Sequence, residues 1–599
     1  MIPYWKRLGQ QLAVIAGIAI AVFLIFGHTD LGYDFHWAIL YEKNPTYGEI
    51  FGLWLLHGLL LTIKISAIST VFALILGTLF GIGRLSRFKP FYLLSTGYVE
   101  FFRNTPLLVQ LFFWYFALPL VLPESARTFL NNHGYELWAS IAGLSIYTGA
   151  FVAEIVRAGI QAIPRGHLEA AASSGLSGGQ ALRFIILPQA FRIIIPPLGS
   201  EFLNNMKNSS LAMTIGVAEL CWQSQQIESF TFRGFEATTA ASVIYLGLSL
   251  FISMIMNSIN HHLIIGAERE LSLIDKILGL CVMPFYLLGQ YITKCLQWLS
   301  SILPQRQPGI DTKESIYVSG GTQFLGKLGQ KLIFIGKALF VLIFVGIIAV
   351  IGYQIWQFNW NVILDNIRAL LIWRFPSGGK GELFYGLGGF SISIVLASIA
   401  LFVSFFIGLV VGLGRLSRNT LVSTPSVLYI EIIRGNPLIM VIFWVYFFSP
   451  IITGMQIDVF WSAVIAFTVF SGAYLGEIVR AGVSAIPHGQ IEAATASGLS
   501  YFQTMRRVVL PQALKIMIPA IVGQFISLFK DTSLAYIIGV FELTTVAQTI
   551  NNRLMIYPFE IYATIAVLYF ICCYSMSRVA ARLERKYTPG LHVEAPRME

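Results

Sequence analysis

The sequence predicts an all-α, polytopic membrane protein of about 12 transmembrane helices, arranged as two tandem halves of the same orientation. Three observations predict it. Of 599 residues, 56% are apolar and 12% charged, with a mean hydropathy of +0.72, far from the balance of a soluble domain. One polar stretch, "EAAASSGLSGGQALRFIILPQA" from Glu169, returns 323 residues later as "EAATASGLSYFQTMRRVVLPQA" from Glu492. Basic residues gather in short clusters beside apolar runs long enough to cross a bilayer.

A hydrocarbon core about 30 Å thick takes around 20 apolar residues in helix. Such windows lie near residues 10–27, 54–82, 92–120, 138–158, 187–217 and 238–264, and again near 333–353, 388–412, 422–450, 460–480, 511–540 and 560–580. The first follows Lys6 and Arg7 as a signal peptide would, but no small-residue cleavage site succeeds it, so a retained anchor is expected. Between Glu154 and Ala190 and their later counterparts, 23 of 37 residues are identical. Upstream, "GIGRLSR" from Gly81 and "EFFRNTP" from Glu100 reappear as "GLGRLSR" from Gly412 and "EIIRGNP" from Glu431, at an offset of 331. The difference in offset falls in the polar loop "LPESARTFLNNHGYEL", which the second half shortens. The chain is a duplication of one membrane unit.

If each window crosses once, Lys6, Arg7, Arg84, Arg87, Lys89, Arg157, Arg165 and Arg183 share one side. So do Lys327, Lys331, Lys337, Arg415, Arg418, Arg480, Arg506, Arg507, Arg578, Arg582, Arg585 and Lys586. The side that collects positive charge is cytoplasmic. Both termini are expected there, as in a multi-pass protein of a bacterial inner membrane. This clustering accounts for the net charge of +10 without a nucleic-acid partner; lipid is the expected surroundings. The apolar run 277–293, with Lys276 and Lys294 at its ends, would invert the second half if it spanned, so an interfacial or re-entrant segment is expected. The implied divisions are a leading helix and outer loop (1–51), a first membrane domain (52–265), an interfacial segment and linker (266–331), a second leading helix and loop (332–385), a second membrane domain (386–585) and a cytoplasmic tail (586–599). Five cysteines, lying in apolar stretches without CxxC or His-linked spacing, indicate neither a metal site nor a disulfide framework.

Both copies of the EAA stretch fall between the fourth and fifth spans of their half, on the cytoplasmic side. A short helix is expected at 169–174 and at 492–497, stopped by Gly175 and Gly498, the residue type that accepts a left-handed C-terminal position. Glu169, Ala170 and Ala171, and likewise Glu492, Ala493 and Ala494, put an acid and two small side chains where another protein can approach closely.

This spacing, EAA, then three residues to Gly, and onward to Leu-Pro, resembles the coupling motif of binding-protein-dependent ABC importer permeases. The flanks "GAFVAEIVRAGIQAIPRGHLEAA" and "GAYLGEIVRAGVSAIPHGQIEAA", with "MKNSSLA" and "FKDTSLA" downstream, are similar to the polar or general amino-acid uptake permeases. The resemblance covers about 52–265 and 386–585 and implies two tandem type I permease domains. It implies that Glu169, Ala170, Ala171, Gly175, Glu492, Ala493, Ala494 and Gly498 dock a dimer of ABC ATPase subunits, and that a periplasmic amino-acid-binding protein delivers the substrate. The chain departs from the family by fusing two permeases and leading each half with an extra span. No GxxxxGK[ST] sequence occurs. The chain is therefore expected to bind no cofactor and not to be an enzyme, with ATP and Mg used by the partner subunit.

Polar residues inside spans are functional candidates. Glu154 with Arg157, and Glu477 with Arg480, are i,i+3 pairs that contact substrate or anchor a helix end; Glu100–Arg103 and Glu431–Arg434 read as anchors. In "KNSSL" and "KDTSL", Asn208, Ser209 and Ser210, or Asp531, Thr532 and Ser533, follow a proline-interrupted run and are expected to cap a following helix. That arrangement either closes a kink or holds an amino-acid zwitterion, with helix N–H groups on the carboxylate and an acid on the ammonium. Asp531 stands where the first half has Asn208, so the second half is expected to hold the ammonium, for one substrate. Thr62 and Ser393, equivalent hydroxyls, are expected to line the same cavity. Other solutes, or a secondary transporter, are the alternatives; paired cytoplasmic EAA helices disfavour the latter.

Overall fold

The computed structural model describes residues 9–11, 13–18, 20, 33–44, 48–132, 134–176, 178–263, 320–372 and 386–587. Most of the window 10–27, the segment 277–293 and most of the linker and tail lie outside these residues. The described residues are helical throughout. The first half runs α1 (Phe51–Gly83), α2 (Lys89–Arg103), α3 (Leu107–Phe112, continued through a π-turn to Val121), α4 (Tyr135–Gln161), α5 (Arg165–Ser173), α6 (Leu187–Asn208), α7 (Leu220–Thr231) and α8 (Gly234–Leu263). After a long helix α9 (Gly320–Gln357) and the short α10 (Trp360–Leu371), the second half repeats this order. It runs α11 (Gly389–Arg415), α12 (Thr420–Gly435), α13 (Leu438–Thr453), α14 (Val459–Ser484), α15 (His488–Ala496), α16 (Leu510–Asp531), α17 (Leu543–Leu554) and α18 (Pro558–Tyr587).

Among the described residues eight helices are long and apolar enough to span, or nine if a bent pair counts as one. The window 422–450, expected as one span, is that bent pair: α12 and α13 meet at 110°. The first half breaks at the same place, between Arg103 and Leu107. Pro437 and Pro106 enforce both breaks, since proline supplies no N–H and restricts the residue before it. The carbonyls released are met locally. Asn104 Nδ2 donates to Glu100 O at 2.7 Å and Gln110 Nε2 to Phe102 O at 3.0 Å, while Asn436 Nδ2 donates to Ile432 O at 2.9 Å.

Within each half, the first long helix lies against the fourth because glycines let the backbones approach. A Cβ on Gly81 would sit 2.7 Å from Ala153 O, and one on Gly412 2.5 Å from Gly476 O. Small residues four apart on α1 (Gly77, Gly81) and α11 (Gly408, Gly412) form the small-xxx-small seam suited to lipid, where packing replaces the hydrophobic effect between helices. The helix ends that carry the "GRLSR" sequences are pinned by charge. Arg84, just after α1, bonds Glu154 and lies 3.3 Å from Glu100, and Arg415 of α11 lies 3.0 Å from Glu431 and 3.3 Å from Glu477.

The halves meet through aromatic side chains. Phe112 of α3 packs on Tyr562 of α18 with ring centroids 5.6 Å apart, and Phe235 of α8 stacks on Phe448 of α13 at 5.2 Å. The leading segments also cross over. Phe340 of α9 touches Phe88 and Phe91 beside α2, and Gln10 bonds Thr420 of α12 at 3.2 Å. Each half thus receives a contact from the segment that leads the other.

Candidate functional site

A cavity of about 190 Å³ lies between the halves, and its walls come in duplicated pairs. Pro106, Leu107 and Leu108 at the start of α3 face it, as do Pro437, Leu438 and Ile439 at the start of α13. Glu201, Asn204, Lys207 and Asn208 of α6 are answered by Gln524, Ser527, Lys530 and Asp531 of α16. Tyr147 and Phe151 of α4 are answered by Phe470 and Tyr474 of α14. The first N–H groups of α3 and α13 have no acceptor within their helices and carry the positive end of the helix dipole. The last turns of α6 and α16 bring the negative end.

Asn208, Ser210, Asp531 and Ser533 line this cavity, whereas Ser209 and Thr532 do not. The expected capping role is corrected. Asn208 and Asp531 are the last residues of α6 and α16, and a tight 3-10 turn follows each, Ser209–Ile215 and Thr532–Ile538. The hydroxyls donate backwards: Ser209 to Met206 O at 2.6 Å, Ser210 to Lys207 O at 2.6 Å, Thr532 to Phe529 O at 2.7 Å and Ser533 to Lys530 O at 2.8 Å. Back-bonding of this kind satisfies carbonyls at a helix end and caps no new helix. The cavity's helix N-termini belong to α3 and α13 instead.

The caps of the following helices are Glu219 and Glu542, both fully buried. Glu219 accepts from Trp222 N at 2.9 Å and from the Tyr245 hydroxyl at 2.6 Å; Glu542 accepts from Thr544 N and Thr545 N, both at 2.9 Å, and from Tyr569 at 3.2 Å. Thr62 and Ser393 lie here and not on the cavity wall: each takes a bond from the backbone at the start of α7 or α17, at 3.2 Å, and neighbours the capping glutamate. "AEL" and "FEL", an acid ahead of an apolar periodic run, carried the signal for these caps. Glu154 and Glu477 also stand away from the cavity, each bonded to the arginine three residues on and to the arginine of the preceding "GRLSR" loop.

Two lysines, Lys530 buried and Lys207 partly buried, cross between the halves. Lys530 Nζ donates to Arg103 O at 3.0 Å, and Lys207 Nζ to Arg434 O at 3.1 Å and to the Tyr474 hydroxyl at 3.3 Å. Arg103 ends α2 and Arg434 lies in the last turn of α12, so each lysine satisfies a carbonyl of a helix C-terminus in the other half, where a cation also complements the dipole. Among the described residues no hydrogen bond or ion pair engages the Asp531 carboxylate.

The EAA helices begin earlier than their motif, at Arg165 and His488, directly after Pro164 and Pro487. Glu169, Ala170, Glu492 and Ala493 are exposed, while Ala171 and Ala494 turn inward, 1% and 6% exposed. Gly175 and Gly498 have φ of +77° and +80°, and the bonds Leu176 N to Ala171 O and Leu499 N to Ala494 O close the C-terminal turn in the Schellman pattern. Each helix is tied to the base of the long helix that reaches the cavity. Gln189 of α6 bonds His167 at 3.3 Å, and Gln512 of α16 bonds Gln490 at 2.6 Å. α16 runs 22 residues from Leu510 to Asp531, about 33 Å of helix.

Residues 69–264 and 404–589 each match the family described as the binding-protein-dependent transport system inner membrane component. The chain is similar to the probable glutamine ABC transporter permease protein GlnP of Bacillus subtilis (strain 168), 44% identical over 202 residues, which cover 33% of this chain and 92% of that protein. It is similar to the glutamate/aspartate import permease protein GltJ of Escherichia coli (strain K12), 36% identical over 227 residues, which cover 37% of this chain and 92% of that one. A crystal structure of an amino acid ABC transporter with histidines matches at 33% identity and a TM-score of 0.32, over 35% of this chain and 95% of that one. Matched twice over most of its length, the chain belongs to the family of binding-protein-dependent transport system inner membrane components and carries the family's domain in duplicate.

Proposed function

We propose that this chain forms, by itself, the complete membrane pathway of an ATP-driven amino-acid uptake system, with residues 52–265 and 386–585 as its two permease domains. The names of its relatives, which carry glutamine or glutamate and aspartate, support the substrate class. The cavity built from both halves, with Asp531 on its wall, is the observation that carries the reading. A zwitterion leaving water needs a compensating charge for each of its own. Asp531, at the negative end of α16, takes the ammonium; the N-termini of α3 and α13 take the carboxylate. A dimer of partner ATPase subunits docks on the exposed faces of α5 and α15, and a binding protein on the opposite side of the membrane delivers the amino acid. Hydrolysis belongs to the partner, which brings ATP and Mg; this chain contributes no catalytic residue. Both termini lie with the EAA helices in the cytoplasm.

Closure of the ATPase dimer moves α5 and α15, and the ties to Gln189 and Gln512 carry the motion along α6 and α16 to the cavity. The test is uptake by the reconstituted system. Asp531→Asn, which gives the second half the first half's residue, is expected to express normally and lose nearly all uptake, while Asn208→Asp retains most of it. Wild-type uptake by well-folded Asp531→Asn protein would refute the site.

A further inference from the structure

The two halves of the cavity are not chemically equivalent. Each contributes one carboxylate, at a different position, and each carboxylate has an amide at the duplicated position: Glu201 is answered by Gln524, and Asp531 by Asn208. Two-fold related sites would repeat the acid; here the acids combine in a single oriented site. Glu201 lies seven residues before the end of α6, and by the duplication it stands about 10 Å of helix rise below the level of Asp531. That separation, shortened by the two acidic side chains, suits one extended amino acid lying along the cavity.

We propose that Glu201 is a substrate-contacting residue that reads the side chain, and that it selects amino acids whose side chain ends in N–H donors, amide or cationic, over those ending in a carboxylate. The inference rests on the proposed role of Asp531 at the ammonium group. Its physical basis is the state of the surrounding charges. Among the described residues Glu201 has one hydrogen bond, a long one of 3.4 Å from Asn204. The cations near the cavity are held by other groups: Lys207 and Lys530 donate to carbonyls of the other half, and Arg103 lies over the Phe151 ring, 4.0 Å from Glu154. A carboxylate beside Glu201 would meet like charge, whereas a terminal amide or guanidinium would supply the donors that Glu201 lacks.

The experiment is direct binding of radiolabelled glutamine, arginine and glutamate to the purified permease–ATPase complex in lipid nanodiscs, without the binding protein. The wild type is expected to prefer glutamine and arginine to glutamate by about ten- to a hundredfold, the range of one charge-assisted hydrogen bond. Glu201→Gln, which copies the residue of the other half, is expected to bring the three ligands close to parity. Glu201→Asp keeps the preference with weaker binding and guards against a folding defect in the first variant. Equal affinity of the wild type for glutamine and glutamate, or unchanged discrimination in Glu201→Gln, would overturn the role of Glu201. Undiminished binding by Asp531→Asn would instead overturn the ammonium site on which it stands.

Discussion

Replacing Lys530 with Met keeps the length of the side chain and removes its charge, which isolates the bond that crosses from α16 to the end of α2. The ammonium lies 3.0 Å from Arg103 O, and the residue is only 7% exposed, at the edge of the cavity. A hydrogen bond to a charged group contributes roughly 1.5–3 kcal/mol, equivalent to about ten- to a hundredfold in the balance between this arrangement of the halves and any other. Lys207→Met breaks the mirror bond, 3.1 Å to Arg434 O, and should cost a similar amount. The neighbours separate the two variants. Lys207 is followed by Asn208, but Lys530 by Asp531, so Lys530→Met also leaves a carboxylate without its nearest cation. Lys530→Met is therefore expected to be the more severe, and Lys530→Met with Asp531→Asn to return to the level of Lys207→Met. The assay is ATP hydrolysis by the reconstituted permease–ATPase complex in the absence of amino acid, which should rise as the latched arrangement loses population. Unchanged basal hydrolysis in both single variants would refute the latch. A Lys207→Met effect larger than that of Lys530→Met would refute the role given to Asp531.

Glu169→Lys and Glu492→Lys lie on exposed helix faces and should leave folding intact while weakening co-purification with the ATPase; undiminished association in both would remove the docking role. Gly412→Val places a branched Cβ 2.5 Å from Gly476 O and should destabilise by about 1–3 kcal/mol or more, read as a lower melting temperature, whereas Gly247→Val, with nothing within 4 Å, should be neutral. Thr62→Ala and Ser393→Ala each remove one buried bond to a helix start and should cost about 1 kcal/mol of stability without changing substrate affinity; a weakened affinity would place these hydroxyls at the substrate after all. The native mass of the complex is expected to show one copy of this chain with two ATPase subunits, and two copies would contradict a pathway complete in one chain.

The duplication, the helical class and the EAA helices were legible because each rests on local chemistry. Gly175 and Gly498 announce a left-handed stop, and Pro164 and Pro487 announce a start, whatever surrounds them. The cavity was legible only in part. "KDTSL" drew attention to Asp531 because a polar run inside an apolar window is costly, but the same hydroxyls that signal a helix start also bond backwards to a helix end, and sequence does not distinguish the two. Glu201 lies inside the window 187–217 but outside the repeated "KNSSL" and "KDTSL" runs, and only the packing of the two halves puts it on the cavity wall. Thr62 and Ser393 were assigned to the wrong wall for a similar reason: their partners, Glu219 and Glu542, lie about 150 residues away in sequence, and only the packing of α1 on α7 and of α11 on α17 brings them together.

Fusion gives meaning to what the two halves do differently. In a pair of identical subunits every cavity residue appears twice, and an acid that suits the ammonium must also stand near the carboxylate. Here Asp531 and Glu201 come from different halves and answer Asn208 and Gln524, so each charge is placed on its side of the pseudo-two-fold axis without a mirror image. The residues that move and hold the halves remain duplicated. Lys207 and Lys530 make matching bonds, Gln189 and Gln512 tie matching EAA helices, and Glu219 and Glu542 cap matching turns. If the chain serves a two-fold ATPase and an unsymmetrical substrate as proposed, the parts that couple to the ATPase are the symmetric ones and the wall that meets the substrate is the unsymmetric one. The amide-for-acid exchange is the smallest change that does this, since glutamine and asparagine preserve the shape of glutamate and aspartate and remove only the charge.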